Sequence, residues 1–144
     1  MPIVGFNLEK TQAERKKKLQ KGMKAYHNIT ITSVQNEDIQ IGKNSKKQGL
    51  KFSFEYNVDY QPDVGKVLIE GSVLYSDDDK IVKTILDSWK KNRNVSPEIA
   101  SQVLNTAIVR CTIKALSMAQ EVNLPPHMPI PTITPKGKEQ DYIG

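Results

Sequence analysis

The side chains that most often act as nucleophiles, bases and metal ligands are scarce in this sequence. The chain has two histidines, His27 and His127, and neither stands at zinc-ligand spacing from a second histidine or a cysteine. Its one cysteine, Cys111, lies among apolar residues of a predicted helix. That position favours a buried, unreactive thiol, and a single cysteine excludes an internal disulfide. We therefore predict no catalytic residue and no metal site.

Two other patterns bear on enzyme chemistry. Asp77, Asp78 and Asp79 are consecutive, which does not match the spacing of an EF-hand loop and is typical of a helix N-terminus. No glycine-rich phosphate loop occurs, and the segment GSVLY lacks the second glycine of a GxSxG motif. The sequence thus predicts a protein that is not an enzyme and needs no cofactor.

Length and composition indicate a single cytoplasmic domain. The chain has 144 residues, enough to bury a core without a metal or a disulfide. It contains no apolar run of about 18 residues, the length needed to span a membrane. Its first residues, MPIVGFNLEK, lack the charged and apolar regions of a signal peptide. We therefore expect no membrane insertion and a cytoplasmic location.

The middle of the chain has the periodicity of β-strands. In residues 50–60, apolar and polar side chains alternate without a break, which indicates a half-buried strand of an antiparallel sheet. Residues 66–76 are predicted to pair with it after a turn that contains Pro62 and Gly65. The β-branched residues 27–34 and the short segment 38–42 predict two earlier strands.

Two helices are expected after the strands. Residues 78–92 carry an apolar stripe, and a longer helix begins at Pro97 and ends before Pro125. This order predicts an α+β fold, an antiparallel sheet of about four strands followed by two helices packed on one face. We expect residues 1–26 to form a basic N-terminal arm or marginal helix, residues 27–133 the single α+β domain, and residues 134–144 a flexible tail.

The long helix has apolar residues nearly all round. A surface helix needs only one apolar stripe, so a second apolar face predicts a second cover. We expect the sheet to cover one face and a partner subunit to cover the other. The candidate interface residues are Val103, Ile108, Val109, Ile113 and Leu116.

A proline segment, LPPHMPIP, follows the long helix in residues 124–131. Pro125 stops the helix, and the residues after it are expected to be extended or polyproline-like. Met128 and Ile130 alternate with prolines. The segment therefore either packs back across the sheet or the helix end, or it lines an exposed apolar groove.

Strands followed by a long apolar helix and a proline segment resemble the SecB family of protein-export chaperones. The matching phrase is AIVRCTIKALSMAQEVNLPPHMPIPTI, residues 107–133. The resemblance implies a homo-oligomer, a dimer or a tetramer, that binds unfolded or extended polypeptide in apolar grooves without catalysis. The candidate client-binding residues are Phe52, Phe54, Tyr56, Met128 and Ile130. For Phe52 and Phe54 a position in the core is the favoured alternative.

The chain also departs from that family. It inserts a charged helix at residues 78–92 and adds a basic segment before the first strand. It lacks the second helix and the acidic tail that the family usually has after the proline segment. The sequence is also similar to archaeal proteins of uncharacterised function, a resemblance that implies no activity.

A second hypothesis comes from the uneven distribution of charge. The net charge is +5, and basic clusters attract phosphate-rich partners. One cluster precedes the first predicted strand and consists of Arg15, Lys16, Lys17, Lys18, Lys21 and Lys24. It indicates either a solvated surface or a basic adaptor that binds RNA, such as ribosomal RNA. Binding would be mainly electrostatic, because no ribonucleoprotein signature is present.

Overall fold

A computed structural model of the chain describes residues 3–40, 42–129, 131 and 133. Within them, four strands precede two helices: β1 (Ile3–Arg15), β2 (Lys24–Gln40), β3 (Lys46–Gln61), β4 (Gly65–Ser76), α1 (Asp79–Asn92) and α2 (Pro97–Glu121). All strand pairs are antiparallel. The predicted α+β fold, a four-stranded antiparallel sheet followed by two helices, is confirmed. No helix in this described part of the chain is long and apolar enough to cross a membrane.

The four strands form one sheet in the order β1-β4-β3-β2. Hairpins join β2 to β3 and β3 to β4. β1 pairs with β4, so the connection from β1 to β2 runs from one edge of the sheet to the other. This is the Greek key arrangement, with the N-terminal strand returning to the far edge. As a result β1 and β2, which are neighbours in the sequence, occupy opposite edges of the sheet.

The core lies between the sheet and the helices, and β3 supplies its centre. Leu50, Phe52, Phe54, Tyr56, Val58 and Tyr60 are all 1% exposed or less. Their neighbours Val67, Ile69 and Val73 on β4 lie on the same face, because each pairs directly with one of them. The alternation of residues 50–60 therefore predicts the buried face of β3 correctly. The opposite face is largely polar and includes an ion pair between Lys51 and Glu9 at 3.1 Å.

Within residues 1–26, predicted as a basic arm or marginal helix, Ile3–Arg15 instead forms β1 and β2 begins at Lys24. Residues Ile3 to Arg15 pair along β4, with register shifts between Ile3 and Gly5 and between Leu8 and Lys10. Thr11 and Gln12 are exposed, and Phe6 and Ala13 are half-buried. An edge strand tolerates this polar composition, since only one of its backbone edges and part of one face are covered.

The two strands expected at residues 27–34 and 38–42 form one long strand, β2. A register shift between Ile31 and Ser33 changes the face on which side chains alternate. Ile29 and Ile31 pair with Tyr56 and Phe54 on the core face, and after the shift Val34 takes up the same face opposite Phe52. The bulge therefore explains why the apolar spacing in this strand is not strictly two.

Candidate functional site

Helix α2 lies against the sheet through small side chains. Ala107, Cys111, Ala115 and Ala119, spaced four residues apart, are each 1% exposed or less. Small residues in one row allow the helix backbone to approach the sheet closely. Val103 belongs to the same face and is fully buried. Its assignment to a subunit interface is wrong for that reason, since the sheet already covers it.

The outward face of α2 carries larger apolar side chains. Val109 is 60% exposed and Ile113 is 67% exposed, while Ile108 and Leu116 are half-buried on its flanks. Two exposed β-branched residues one helical turn apart form a patch that the chain itself does not cover. The prediction of apolar residues on both faces of this helix is therefore correct, and the identity of the second cover stays a prediction.

A groove of about 700 Å³ runs between this face of α2 and β1. Phe6 and Leu8 line it from the strand, and Arg110, Ile113 and Lys114 line it from the helix. The Arg110 guanidinium lies 4.9 Å from the centre of the Phe6 ring, which itself stacks on Phe54 at 5.6 Å. This cation–π contact joins the helix to the strand across the groove, and Leu8 beside it is 41% exposed.

The proline segment packs back on the sheet. Leu124 is buried beside Gly65, where a Cβ would lie 3.0 Å from the leucine side chain. The Tyr60 hydroxyl donates to the Pro125 carbonyl at 2.5 Å. We call residues 124–129 the strap. Of the two alternatives that the sequence left open, packing across the sheet applies to its first part, while Met128 is 39% exposed and Ile130 lies outside the described residues.

A small polar cluster holds the strap over β3 and β2. Tyr56 Oη lies 2.7 Å from His127 Nε2 and 3.4 Å from Thr112 Oγ1 on α2. The His127 ring meets the His27 ring edge-on at 5.6 Å. His127 Nδ1 is buried and has no hydrogen-bond partner among the described residues. No pattern in the sequence indicates that the two histidines meet, because their contact depends on the path of the strap.

Burial disfavours the charged forms of the nearby Tyr60 hydroxyl, the Cys111 thiol and the His127 ring. It raises the pKa of Tyr60 to about 12 and that of Cys111 to about 11. Burial also lowers the pKa of His127, and the neighbouring His27 lowers it further. Near neutral pH the thiol stays protonated and His127 stays uncharged. Among the described residues, no three His, Cys, Asp or Glu side chains are grouped to hold a metal ion.

The aromatic residues of β3 are not available to a client in this structure. Phe52 and Tyr56 are 0% exposed and Phe54 is 1% exposed, because α1, α2 and β1 cover them. Their assignment as client-binding residues is corrected to a core role. Apolar side chains that remain partly open on this flank are Ile29 and Ile31 of β2, Ile108 of α2 and Met128 of the strap. Both β2 isoleucines lie in the strand predicted at residues 27–34, but they are not among the predicted client-binding residues.

A second apolar groove, of about 340 Å³, separates α1 from the start of α2. Ile81, Ile85, Val95 and Ile99 line it. Ile81 is 39% exposed, and the other three are buried or half-buried. The helix-bearing side of the sheet thus has openings on both flanks of α2 and at its N-terminal end.

The basic cluster lies at the other end of α2, in and beside the connection from β1 to β2. Arg15 Nε donates to the Val122 carbonyl at 3.0 Å, and Lys16 forms an ion pair with Asp63 at 3.1 Å. Lys17, Lys18, Lys21 and Lys24 are exposed. These basic residues therefore lie together in the structure, and the first two of them, Arg15 and Lys16, fix the loop to the domain.

Comparisons with known proteins agree with the fold. No family model matches the chain, and no match is found among curated proteins. A similar solved structure is the SecB-like chaperone Rv1957 of Mycobacterium tuberculosis in complex with a ChAD peptide from the antitoxin Rv1956 HigA1. The two share 14% sequence identity at a TM-score of 0.53, over 90% of this chain and 88% of the other. The chain therefore has the fold of a SecB-like chaperone.

Proposed function

We propose that this chain is a non-catalytic polypeptide-binding protein, a SecB-like chaperone that holds unfolded or extended clients. The observation that supports it most is that apolar side chains stay open to solvent on the helix-bearing side of the sheet. Ile29 and Ile31 of β2 are half-buried there, and Met128 of the strap is 39% exposed. Contiguous exposed apolar surface is typical of a surface that binds another polypeptide.

The client surface in this proposal consists of Ile29, Ile31, Ile108 and Met128. The first three are half-buried and Met128 is 39% exposed, so each offers part of its side chain to a bound segment. Aliphatic side chains and a flexible thioether adapt to many sequences, which suits a binder of unfolded chains. The free backbone edge of β2 offers hydrogen bonds that do not depend on client sequence.

The assembly surface consists of Leu8, Val109 and Ile113. We place it on the β1 flank of α2, where an edge strand and an exposed helix face adjoin the larger groove. A second copy of the chain, related by a two-fold axis, would cover Val109 and Ile113 with the same residues. This gives the homo-oligomer, either a dimer or a tetramer made of two such dimers, and leaves the client surface on the opposite flank.

The test is light scattering of an aggregation-prone protein during refolding, with and without a stoichiometric amount of this protein. We expect suppression of aggregation that persists at high salt, because apolar contacts are not screened. Met128→Asp should reduce suppression strongly. Ile81→Asp is the matched control, since Ile81 has the same exposure of 39% but lies in the groove beside α1.

Three outcomes of that experiment would contradict the proposal. Absence of suppression would exclude the chaperone function. Loss of suppression in Ile81→Asp but not in Met128→Asp would move the client site to the α1 groove. Suppression that high salt abolishes would mean that the basic cluster, and not apolar surface, makes the contact; the RNA-binding alternative would then be the hypothesis to pursue.

A further inference from the structure

The connection between β1 and β2 is a loop on a fixed base. It joins opposite edges of the sheet and therefore crosses the ends of β4 and β3. The backbone N–H groups of Lys16 and Lys17 both donate to the Val64 carbonyl, at 2.6 and 3.2 Å. Arg15 is held by the carbonyl of Val122 at the end of α2. Residues 17–22 beyond this base are all exposed, so the domain presents them as a tip.

This short segment contains the whole basic excess of the protein. Residues 15–24 hold six basic residues and no acidic one. The entire chain has 21 basic and 16 acidic residues, so the remainder holds 15 basic against 16 acidic residues. Away from the segment the protein is nearly neutral. A solvated surface needs no such concentration, whereas binding to a polyanion does.

The charges at the tip are free and those at the base are not. Lys16 pairs with Asp63, whose hydrogen bond and charge raise the lysine pKa, with smaller contributions from Glu14 and Asp59. Lys17, Lys18 and Lys21 form no ion pair within the described residues. They therefore remain available to an external anion.

Leu19 stands among these lysines and is 52% exposed. It makes no contribution to the core, and a loop built only for phosphate binding has no use for it. Stacking on nucleic-acid bases requires an aromatic or arginine side chain. Residues 15–24 contain no aromatic residue, and their one arginine, Arg15, is bonded to the Val122 carbonyl at the base of the loop. An apolar side chain ringed by lysines matches the boundary between charged headgroups and acyl chains of a membrane.

We propose that this tip docks the protein on an anionic lipid surface. Lys17, Lys18 and Lys21 contact the headgroups, and Leu19 enters the acyl boundary without spanning the bilayer. The inference does not depend on the chaperone proposal, because none of these residues belongs to the client surface or the assembly surface.

The experiment is cosedimentation of the full chain with vesicles rich in phosphatidylserine and with vesicles of phosphatidylcholine alone. Each lysine near an anionic membrane contributes about fivefold in partitioning, so Lys17→Gln/Lys18→Gln/Lys21→Gln should weaken binding about a hundredfold. Leu19→Ser should weaken vesicle binding about tenfold, whereas Leu19→Met, which keeps an apolar side chain of similar size, should retain most of it. The matched charge control is Lys83→Gln/Lys90→Gln/Lys91→Gln, three exposed lysines of α1, which should bind like the parent.

A parallel titration with a single-stranded RNA oligonucleotide separates the two polyanions. Lipid docking predicts that Leu19→Ser weakens vesicle binding about tenfold and does not change the affinity measured for the RNA. Absence of binding to phosphatidylserine vesicles would overturn the proposal, as would equal loss in the α1 control. Vesicle binding that Leu19→Ser does not change would also overturn it, because charge alone would then be responsible.

Discussion

The inner and outer faces of α2 are both apolar but differ in side-chain size. The inner face is a row of small residues, Ala107, Cys111, Ala115 and Ala119, packed on the sheet. The outer face presents Val109 and Ile113 to solvent. Close packing of a helix on a sheet selects small side chains, whereas a surface that binds another polypeptide gains from larger ones. Along the row from Ala107 to Ala119, size, more than hydropathy, therefore distinguishes the core face from the free face, whereas the larger Val103 and Met118 are buried near the two ends of the helix.

The largest expected difference is between matched aspartate substitutions on the two faces. Val103→Asp places an unpaired charge in the core and should lower the free energy of unfolding by about 4 kcal/mol or more. Ile113 is 67% exposed, so Ile113→Asp should change the free energy of unfolding of the monomer by less than about 0.5 kcal/mol. Chemical denaturation measures both, at a protein concentration low enough to separate folding from assembly.

The same pair tests the assembly surface. Sedimentation velocity should show that Ile113→Asp shifts the protein to the monomer while its fold remains intact. A parent protein that is already monomeric would contradict the oligomer proposal. Equal destabilisation of folding in the two variants would show that the outer face is covered within the monomer, and the comparison of the faces would fail.

Enlarging a side chain should sharpen the contrast in size. Ala115→Leu adds volume where α2 touches the sheet and should cost about 1–3 kcal/mol of folding free energy. Val109→Leu makes a smaller enlargement at a position that is 60% exposed and should be nearly neutral. Thermal and chemical denaturation of both variants give the comparison. A neutral Ala115→Leu would mean that the helix does not lie as close to the sheet as its small residues indicate.

Removing the Tyr60 hydroxyl should show how much the attachment of the strap to the sheet contributes to stability. Tyr60→Phe deletes the hydrogen bond to the Pro125 carbonyl and should lower the free energy of unfolding by about 1 kcal/mol. Tyr26→Phe is the control, because Tyr26 is 56% exposed and no side-chain hydrogen bond involves it within the described residues. Equal effects in the two variants would contradict the attachment of the strap through Tyr60.

The smallest expected effect is a dependence on pH through His127. Burial lowers its pKa below the ordinary value of 6.5, so the unfolded chain binds a proton more readily than the folded one. The contribution of uncharged His127 to stability is therefore complete above about pH 6.5, and it is lost as the pH falls through the folded-state pKa of this residue. Melting temperatures across this range should fall less in His127→Gln than in the parent. His27→Gln, at an exposed ring, should retain most of the parent's dependence.

The sequence predicted the elements whose burial is periodic. Residues 50–60 alternate because β3 is the central strand with one covered face, and the structure extends it to Lys46–Gln61. Both helices were placed within a residue of their N-terminal ends, since acidic residues or Pro97 stand there. Strong local signals of this kind survive in the fold because local preference and tertiary packing agree.

The N-terminal strand could not be predicted, and the reason is physical. Its residues Glu9 to Gln12 are polar and exposed, and bulges interrupt what alternation remains. Its strand conformation comes from pairing with β4, a partner distant in sequence. Residue pattern alone therefore made it look like a solvated arm.

The candidate site was predictable only in part. Apolar residues on both faces of α2 follow from composition, but nothing in the sequence says that Val103 faces the sheet and Ile113 does not. The contact of His27 with His127 requires the strap to fold back over β2, and tertiary packing, not local sequence, determines that path. The client-binding assignment failed for Phe52 and Phe54 because a strand buried under helices and an exposed aromatic strand share one pattern.

The pairing of β1 with β4 also orders the events of folding. β2, β3 and β4 form two hairpins whose ends are near in sequence, whereas Tyr75 pairs with Ile3 across half the chain. Closing so long a loop costs more entropy than closing a hairpin, so the three-stranded core should form before β1 joins it. On the ribosome, the N-terminal strand must wait for β4 to be synthesised. After β4 has been made and until β1 pairs with it, the chain exposes the β4 edge and its apolar face, which is the condition that a chaperone recognises in its clients.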